Sequence, residues 1–173
     1  MLKPSVVSWT ILDLSVAMAY AMLTVYGKQN RMISAAAAFL RGYHSVCPIS
    51  DIERQHLPLL IACRLSCSVT LGAYSYKQNP GNEYLLLHAV PGWNALELIW
   101  GTDPDRRAKI RTVIDEIFEQ ACLGAPKPTS DDDDDDTSAV VIDCSDLAFP
   151  DPSVVDPFAS IRSEASNKRP KTG

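Results

Sequence analysis

The chain has 173 residues, 46% of them hydrophobic, and a formal net charge of −5, a size that permits one domain of ordinary dimensions. The acidity is unevenly placed: up to Gly124 there are 11 Lys and Arg against 10 Asp and Glu, and beyond it 5 against 11. The first part is therefore near neutral, with no basic field to draw in phosphate backbones, and nucleic-acid binding is excluded as an expected function.

The five cysteines are odd in number and show no paired spacing, which suits a reducing, cytoplasmic location. Cys63 and Cys67 fall on one helix face but would need two further ligands to hold a metal. His44, His56 and His88 show no ligand spacing to them or to one another. The cysteines read as small core residues, and no metal site is expected.

Met1 to Trp9 reads as an irregular lead-in. The apolar stretch from Val6 to Tyr26 is long enough to span a bilayer if tilted. Asp13 lies well inside it, however, and an aspartate near a helix centre costs about 2.5–3.5 kcal/mol on insertion scales. The same residue breaks the apolar run a signal peptide needs. A buried helix from Thr10 to Tyr26, stopped by Gly27, is the expectation, with no membrane partner.

A second helix is expected from Arg31 to Tyr43, its buried side formed by Ile33, Ala36, Ala37, Leu40 and Tyr43, with Cys47-Pro48 breaking it. Ser50-Asp51-Ile52-Glu53 has the spacing of a capping box, so a short helix or turn should follow.

Leu57 to Gln78 is the most apolar segment of the chain, and Pro58 suits the first turn of a helix there. Its apolar residues (Leu59, Leu60, Ile61, Ala62, Leu65, Val69, Leu71, Ala73) fall nearly all the way round, which predicts a central helix buried on most sides. Arg64 is its one charge before Lys77. Either its stem lies along apolar surface with the head paired to a carboxylate, or it anchors an anionic ligand group. The first is favoured because buried ion pairs are the commoner arrangement.

Asn82 to Ala89 suggests a short helix or turn, and Pro91 or Gly92 begins a helix reaching Trp100. Asp103-Pro104 supplies a cap and first-turn proline for a last helix ending at Leu123. Its apolar positions, Ile110, Val113, Ile114, Ile117, Phe118 and Ala121, recur at three and four residues. No segment alternates as a strand would, so the expected fold class of residues 1–124 is all-α.

Beyond Gly124 the composition changes. Half of the 12 prolines and six consecutive aspartates, Asp131 to Asp136, fall in residues 125–173. Such a segment buries too little apolar surface to offset its ordering entropy, and a disordered acidic tail is expected. Val140-Val141-Ile142-Asp143, directly after the acidic run, resembles motifs that bind ubiquitin-like modifiers by adding a strand to a sheet edge. Asp156-Pro157-Phe158 resembles a short adaptor-binding tripeptide, and Lys168-Arg169-Pro170-Lys171 is too brief to define a nuclear signal.

A search for catalytic signatures returns no Gly-rich phosphate loop, no H-E-x-x-H, no G-x-S-x-G and no kinase-type H-x-D loop or metal-binding I-D-[FW]-x-D segment. Three stretches nevertheless resemble the C-terminal half of hydroxylysine kinase: Trp9 to Leu23, Leu40 to Ile49 (LRGYHSVCPI), and Ala62 to Ser75 (ACRLxxSVxLGAYS). Asn82-Glu-Tyr-Leu and Pro91-Gly-Trp93 extend the match in the same order, over most of residues 5–101 and none of the tail. That enzyme belongs to the aminoglycoside phosphotransferase and choline kinase-like group.

The resemblance implies the helical C-terminal lobe of a protein kinase-like fold, and a family reaction that transfers a phosphoryl group from GTP to the hydroxyl of 5-hydroxylysine with magnesium. It implies that Asp13 braces the catalytic loop from below and that Arg64, Tyr74 and Trp93 belong to the substrate wall. The family's catalytic and metal-binding aspartates lie upstream of the match, so no catalytic residue, no GTP site and no magnesium site is expected within this chain, which should be inactive alone. The competing expectation is a non-enzymatic helical scaffold whose acidic tail (Asp131, Val140, Val141, Ile142) recruits protein partners.

Overall fold

The computed structural model describes residues 10–28, 31–126 and 142–147. These hold five α-helices, α1 (Thr10–Thr24), α2 (Met32–Val46), α3 (Asp51–Gln78), α4 (Ala89–Trp100) and α5 (Pro104–Leu123), with a 3-10 turn, Glu83–Leu86, between α3 and α4 and no strand among the described residues. The all-α expectation therefore holds for this part of the chain. α1 packs against α2 and α3, α3 against α4, and α2 against α5.

Local sequence explains most of the boundaries. α1 stops at Thr24, and Gly27 turns the chain with φ 86°, a left-handed conformation that glycine adopts without a Cβ penalty. α2 ends where the Cys47 N–H bonds the Tyr43 carbonyl at 2.8 Å. At the start of α5, the Asp103 carboxylate accepts from the N–H groups of Asp105 and Arg106 at 3.0 and 3.1 Å, with Pro104 in the first turn, as an N-cap should. α4 begins two residues before Pro91. Pro91 then occupies a position whose N–H would have had no helical partner.

The central helix departs from expectation in two ways. The capping box does form: Ser50 Oγ accepts from the Glu53 N–H at 3.3 Å, and the Glu53 carboxylate accepts from the Ser50 N–H at 2.8 Å. It opens α3 itself, however, not a separate short helix, and the helix runs straight through Pro58. A cap satisfying two end groups and seven residues of continuous helix outweigh the one backbone bond a proline forfeits. α3 is also not buried on most sides. Arg54, Leu57, Pro58, Ile61, Ala62 and Leu65 are buried, whereas Leu59, Leu71 and Tyr74 are exposed. Its neighbours cover one side and chiefly the first half, so the apolar ring read from the sequence is met by protein on only part of its circumference. By length and composition α3 is apolar enough to cross a membrane, with 28% of its most apolar window buried; α1, at 15 residues, is shorter than a span requires.

The core lies between the helices: Leu14, Met18 and Met22 of α1, Ile33, Ala36, Ala37 and Leu40 of α2, Leu57, Ile61 and Leu65 of α3, and Ile110, Ile114 and Phe118 of α5 are essentially closed to solvent. α3 and α4 meet closely at Gly92, where a Cβ would stand 2.9 Å from Val69 Cγ2. The first turns of α3 are tied to α5 by Arg54, which donates to the Asp115 carbonyl, and by Arg111, which donates to the Gln55 carbonyl and pairs with Asp115 at 2.8 Å. All five cysteines are free, but Cys47, Cys63 and Cys67 are exposed, not core residues. For Cys63 and Cys67 the cause is again the uncovered side of α3, whereas Cys47 caps the exposed end of α2.

Eight residues of the expected tail, 125–126 and 142–147, are part of this structure. Ile142–Leu147 packs over α2 and the end of α5, with Leu147 only 1% exposed and Asp146 paired with Arg41 at 2.6 Å. Asp131, Val140, Val141, the Asp156-Pro157-Phe158 tripeptide and the basic ending lie outside the described residues.

Candidate functional site

Arg64, the charge singled out in the apolar stretch, faces α1 from α3. Its Nη2 donates to the Tyr20 hydroxyl at 2.7 Å, and the guanidinium carbon stands 5.3 Å from the centre of the Tyr20 ring. Tyr20 in turn meets His88 edge to face, with ring centroids 5.8 Å apart and planes at 74°. Three segments far apart in sequence thus bring a cation, a phenol and an imidazole to one place at the outer rim of α1, α3 and the start of α4. Arg64 is half-buried, with no carboxylate at ion-pair distance among the described residues. Its Nε is closed from water and has no acceptor. The carboxylate pairing favoured from the sequence is not found among the described residues: the head is partnered by an aromatic hydroxyl and π face, an attraction worth about 0.5–2 kcal/mol.

Tyr74 and Trp93 do not join this cluster. Tyr74 lies ten residues further along α3, a displacement of about 15 Å along the axis, and is 62% exposed. Trp93, on α4, is 61% exposed. No ring contact or hydrogen bond links either to Arg64 among the described residues. Asp13 is exposed in the first turn of α1, where a carboxylate complements the partial positive charge of a helix N-terminus.

Two apolar grooves flank Trp100 on the other side of α3. One, of about 390 Å³, is lined by Leu59, Ala62, Cys63, Cys67 and Leu96; the other, of about 260 Å³, by Pro58, Ile99, Pro104 and Arg107. Arg107 lies over the Trp100 ring at 5.4 Å. Among the described residues no group of three or more His, Cys, Asp or Glu is placed to hold a metal ion. The described residues therefore offer no ready ligand set for the magnesium that the resemblance attaches to the whole enzyme. Cys122, half-buried at the end of α5, has its thiol pushed up to about 11 by burial, so it stays protonated and unreactive at neutral pH.

Sequence reasoning reached Arg64 but missed Tyr20 and His88. Both lie in stretches that carry the family resemblance or directly between them, yet no local spacing joins positions 20, 64 and 88. It also missed Arg41, although that residue follows Leu40 on the apolar side of α2, a place where an arginine is unusual.

Comparison with known proteins gives a consistent direction. The chain is 33% identical over 90 residues to hydroxylysine kinase of Xenopus laevis, covering 51% of this chain and 23% of the relative. It is 32% identical over 91 residues to hydroxylysine kinase of Mus musculus, covering 52% and 23%, and 32% identical over 113 residues to that of Bos taurus, covering 64% and 27%. These similarities establish a distant relationship to hydroxylysine kinases. The chain spans about a quarter of the length of the relatives it matches. No family model matches it, and no solved structure matches it.

Proposed function

We propose that this chain supplies helical substrate-binding wall to a hydroxylysine kinase-like small-molecule phosphotransferase, corresponding to the C-terminal lobe of a kinase-like fold. In the whole enzyme the reaction would be phosphoryl transfer from GTP to the hydroxyl of 5-hydroxylysine, with magnesium supplied by parts outside this chain, in the cytoplasm. The chain alone would be inactive. Distant similarity to hydroxylysine kinases over half the chain supports the class. The observation that carries the site is Arg64, a half-buried cation against the Tyr20 ring with no carboxylate beside it among the described residues.

An amino-acid substrate brings a carboxylate, and Arg64 is positioned to offset that charge while Tyr20 fixes the plane of the guanidinium. A carboxylate paired with a planar guanidinium gains both charge and directional hydrogen bonds, which a lysine at the same place would supply less well. Tyr74 and Trp93 would serve as outer aromatic surfaces, and Asp13 would brace the catalytic loop.

Calorimetry of the intact chain with hydroxylysine tests this. Hydroxylysine should bind, and Arg64→Met should weaken binding by roughly tenfold or more, the scale of one charge-assisted hydrogen bond. GTP with magnesium should give no saturable heat. Failure of the wild-type chain to take up hydroxylysine, or equal binding by the Met variant, would overturn the assignment of the site.

The scaffold reading draws on a different observation, the apolar grooves on either side of Trp100. In that case partners would dock on α3, α4 and α5, and the acidic tail, with Asp131, Val140, Val141 and Ile142, would recruit others.

A further inference from the structure

Arg41 is the most deeply buried charge among the described residues, at 2% exposure. It rises from α2 under the last turn of α5. There its Nε donates to the Ala121 carbonyl at 3.3 Å and its Nη2 to the Gln120 carbonyl at 3.0 Å. These are carbonyls of the last helical turn, where the partial charge is negative; that of Gln120 also accepts from the Gly124 N–H at 3.0 Å. Gly124 makes the approach possible: a Cβ there would lie 2.5 Å from Arg41 Nη2. One side of the guanidinium is thus fixed by the helical domain alone.

The opposite side is filled by Ile142–Leu147. Asp146 accepts from Nη1 and Nη2 at 2.6 and 2.7 Å, a two-point carboxylate pair, and the Asp143 carbonyl accepts from Nη1 at 2.6 Å. Gln120 Nε2 donates to the same Asp146 carboxylate at 3.3 Å. A tight turn presents these groups: the Ser145 N–H bonds the Asp143 carboxylate at 2.9 Å and the Leu147 N–H bonds the Cys144 carbonyl at 3.1 Å. Leu147 is inserted into the core and Ile142 lies over Gly42 of α2. The asymmetry is informative. With the segment in place the Arg41 side chain is 3% exposed and that of Asp146 44% exposed, so the carboxylate meets the buried guanidinium from the solvent side while Leu147 is buried.

We propose that Arg41, the final turn of α5 and the adjoining apolar recess form a peptide-binding site for an aspartate followed directly by leucine, and that Ile142–Leu147 is its resident ligand, exchangeable for an acidic peptide of the same chemistry from another chain. A buried cation left open on one side demands an anion, because removing one partner of such a pair leaves an uncompensated charge. The leucine adds the apolar anchor and sets the register. A consequence follows for the strand-adding motif Val140–Asp143. Its last two residues belong to the docked segment, so that motif becomes readable only when the segment leaves.

The test uses the intact chain and a fluorescein-labelled peptide copying residues 141–148. A tethered segment competes at an effective concentration of about a millimolar, so the wild-type chain should bind the free peptide weakly. The Asp146→Asn/Leu147→Ser chain, with its own segment disabled and its helical circular dichroism retained, should bind it about tenfold more tightly or better. Peptides carrying either substitution should lose that affinity. Equal binding by the two chains, or equal binding of a scrambled peptide, overturns the proposal. Should the double variant not fold, amide exchange in the wild-type chain decides. Saturating unlabelled peptide should accelerate exchange at the Leu147 N–H, and unchanged exchange would sink the idea.

Discussion

Arg41 and Arg64 are both arginines on apolar helix faces, yet their environments differ in kind. Arg41 has a full set of oxygen acceptors, including a carboxylate held by two of its nitrogens. Arg64 has one phenol, one ring face and an Nε with no acceptor. The first is the core of an internal clasp and the second a cation with no carboxylate partner among the described residues. The clasp has a pH signature. Hydrogen bonding from Arg41 holds the Asp146 carboxyl below its ordinary value, against a smaller opposing effect of burial. A depressed carboxylate contributes stability that is fully present above the unfolded value, about 3.9, and is lost as pH falls through the lower folded value. Wild type should therefore melt at a higher temperature than Asp146→Asn at pH 6, and the difference should shrink once pH drops below about 4. A difference that persists undiminished in acid would show that the carboxylate charge is not what holds the segment.

At the scale of elements, α3 shows how a local signal and its context divide the work. Ser50 and Glu53 satisfy one another's backbone N–H groups, and the Glu53 carboxyl is held below its usual range by the N–H and hydroxyl of Ser50. With that start fixed, the helix tolerates Pro58. Ser50→Ala should lower the stability of the folded chain by about 0.5–2 kcal/mol, measured by denaturant unfolding monitored at 222 nm, without altering the Arg64–Tyr20 contact. A change below a few tenths of a kcal/mol would mean that packing of Leu57, Ile61 and Leu65 alone sets where α3 begins. The start of α5, the stop of α1 and the capping box at Ser50 were legible because caps, prolines and glycines act over three or four residues, but the box opens α3 itself and not the separate short element expected. The burial of α3 was not, because a helix apolar all round looks the same whether its neighbours cover one side or all.

For the molecule as a whole, the uncovered side of α3 is the main open feature. Leu59, Leu71, Tyr74, Trp93 and Trp100 are all at least 40% exposed, and the grooves beside Trp100 run between α3, α4 and α5. Apolar surface of this kind marks a contact face. The purified chain should bind a hydrophobic dye or self-associate, and Leu59→Ser with Trp100→Ser should reduce either effect. A monodisperse monomer with cooperative melting and no dye binding would count against a contact face there.

The amino-acid sequence by itself determined the helical class, the positions of α2 and α5 to within a few residues, the identity of most core positions on them, and the likeness to hydroxylysine kinases. Each of these is written in local periodicity, end signals or residue identity. Only the tertiary structure decided that Arg64 meets Tyr20 and His88, that α3 is covered on one side, and that a leucine and an aspartate from the acidic tail close over Arg41. Those outcomes depend on pairs of residues far apart in the chain, such as Arg41 and Asp146, and the free energy of a contact between them exists only once the helices have placed both in the same space.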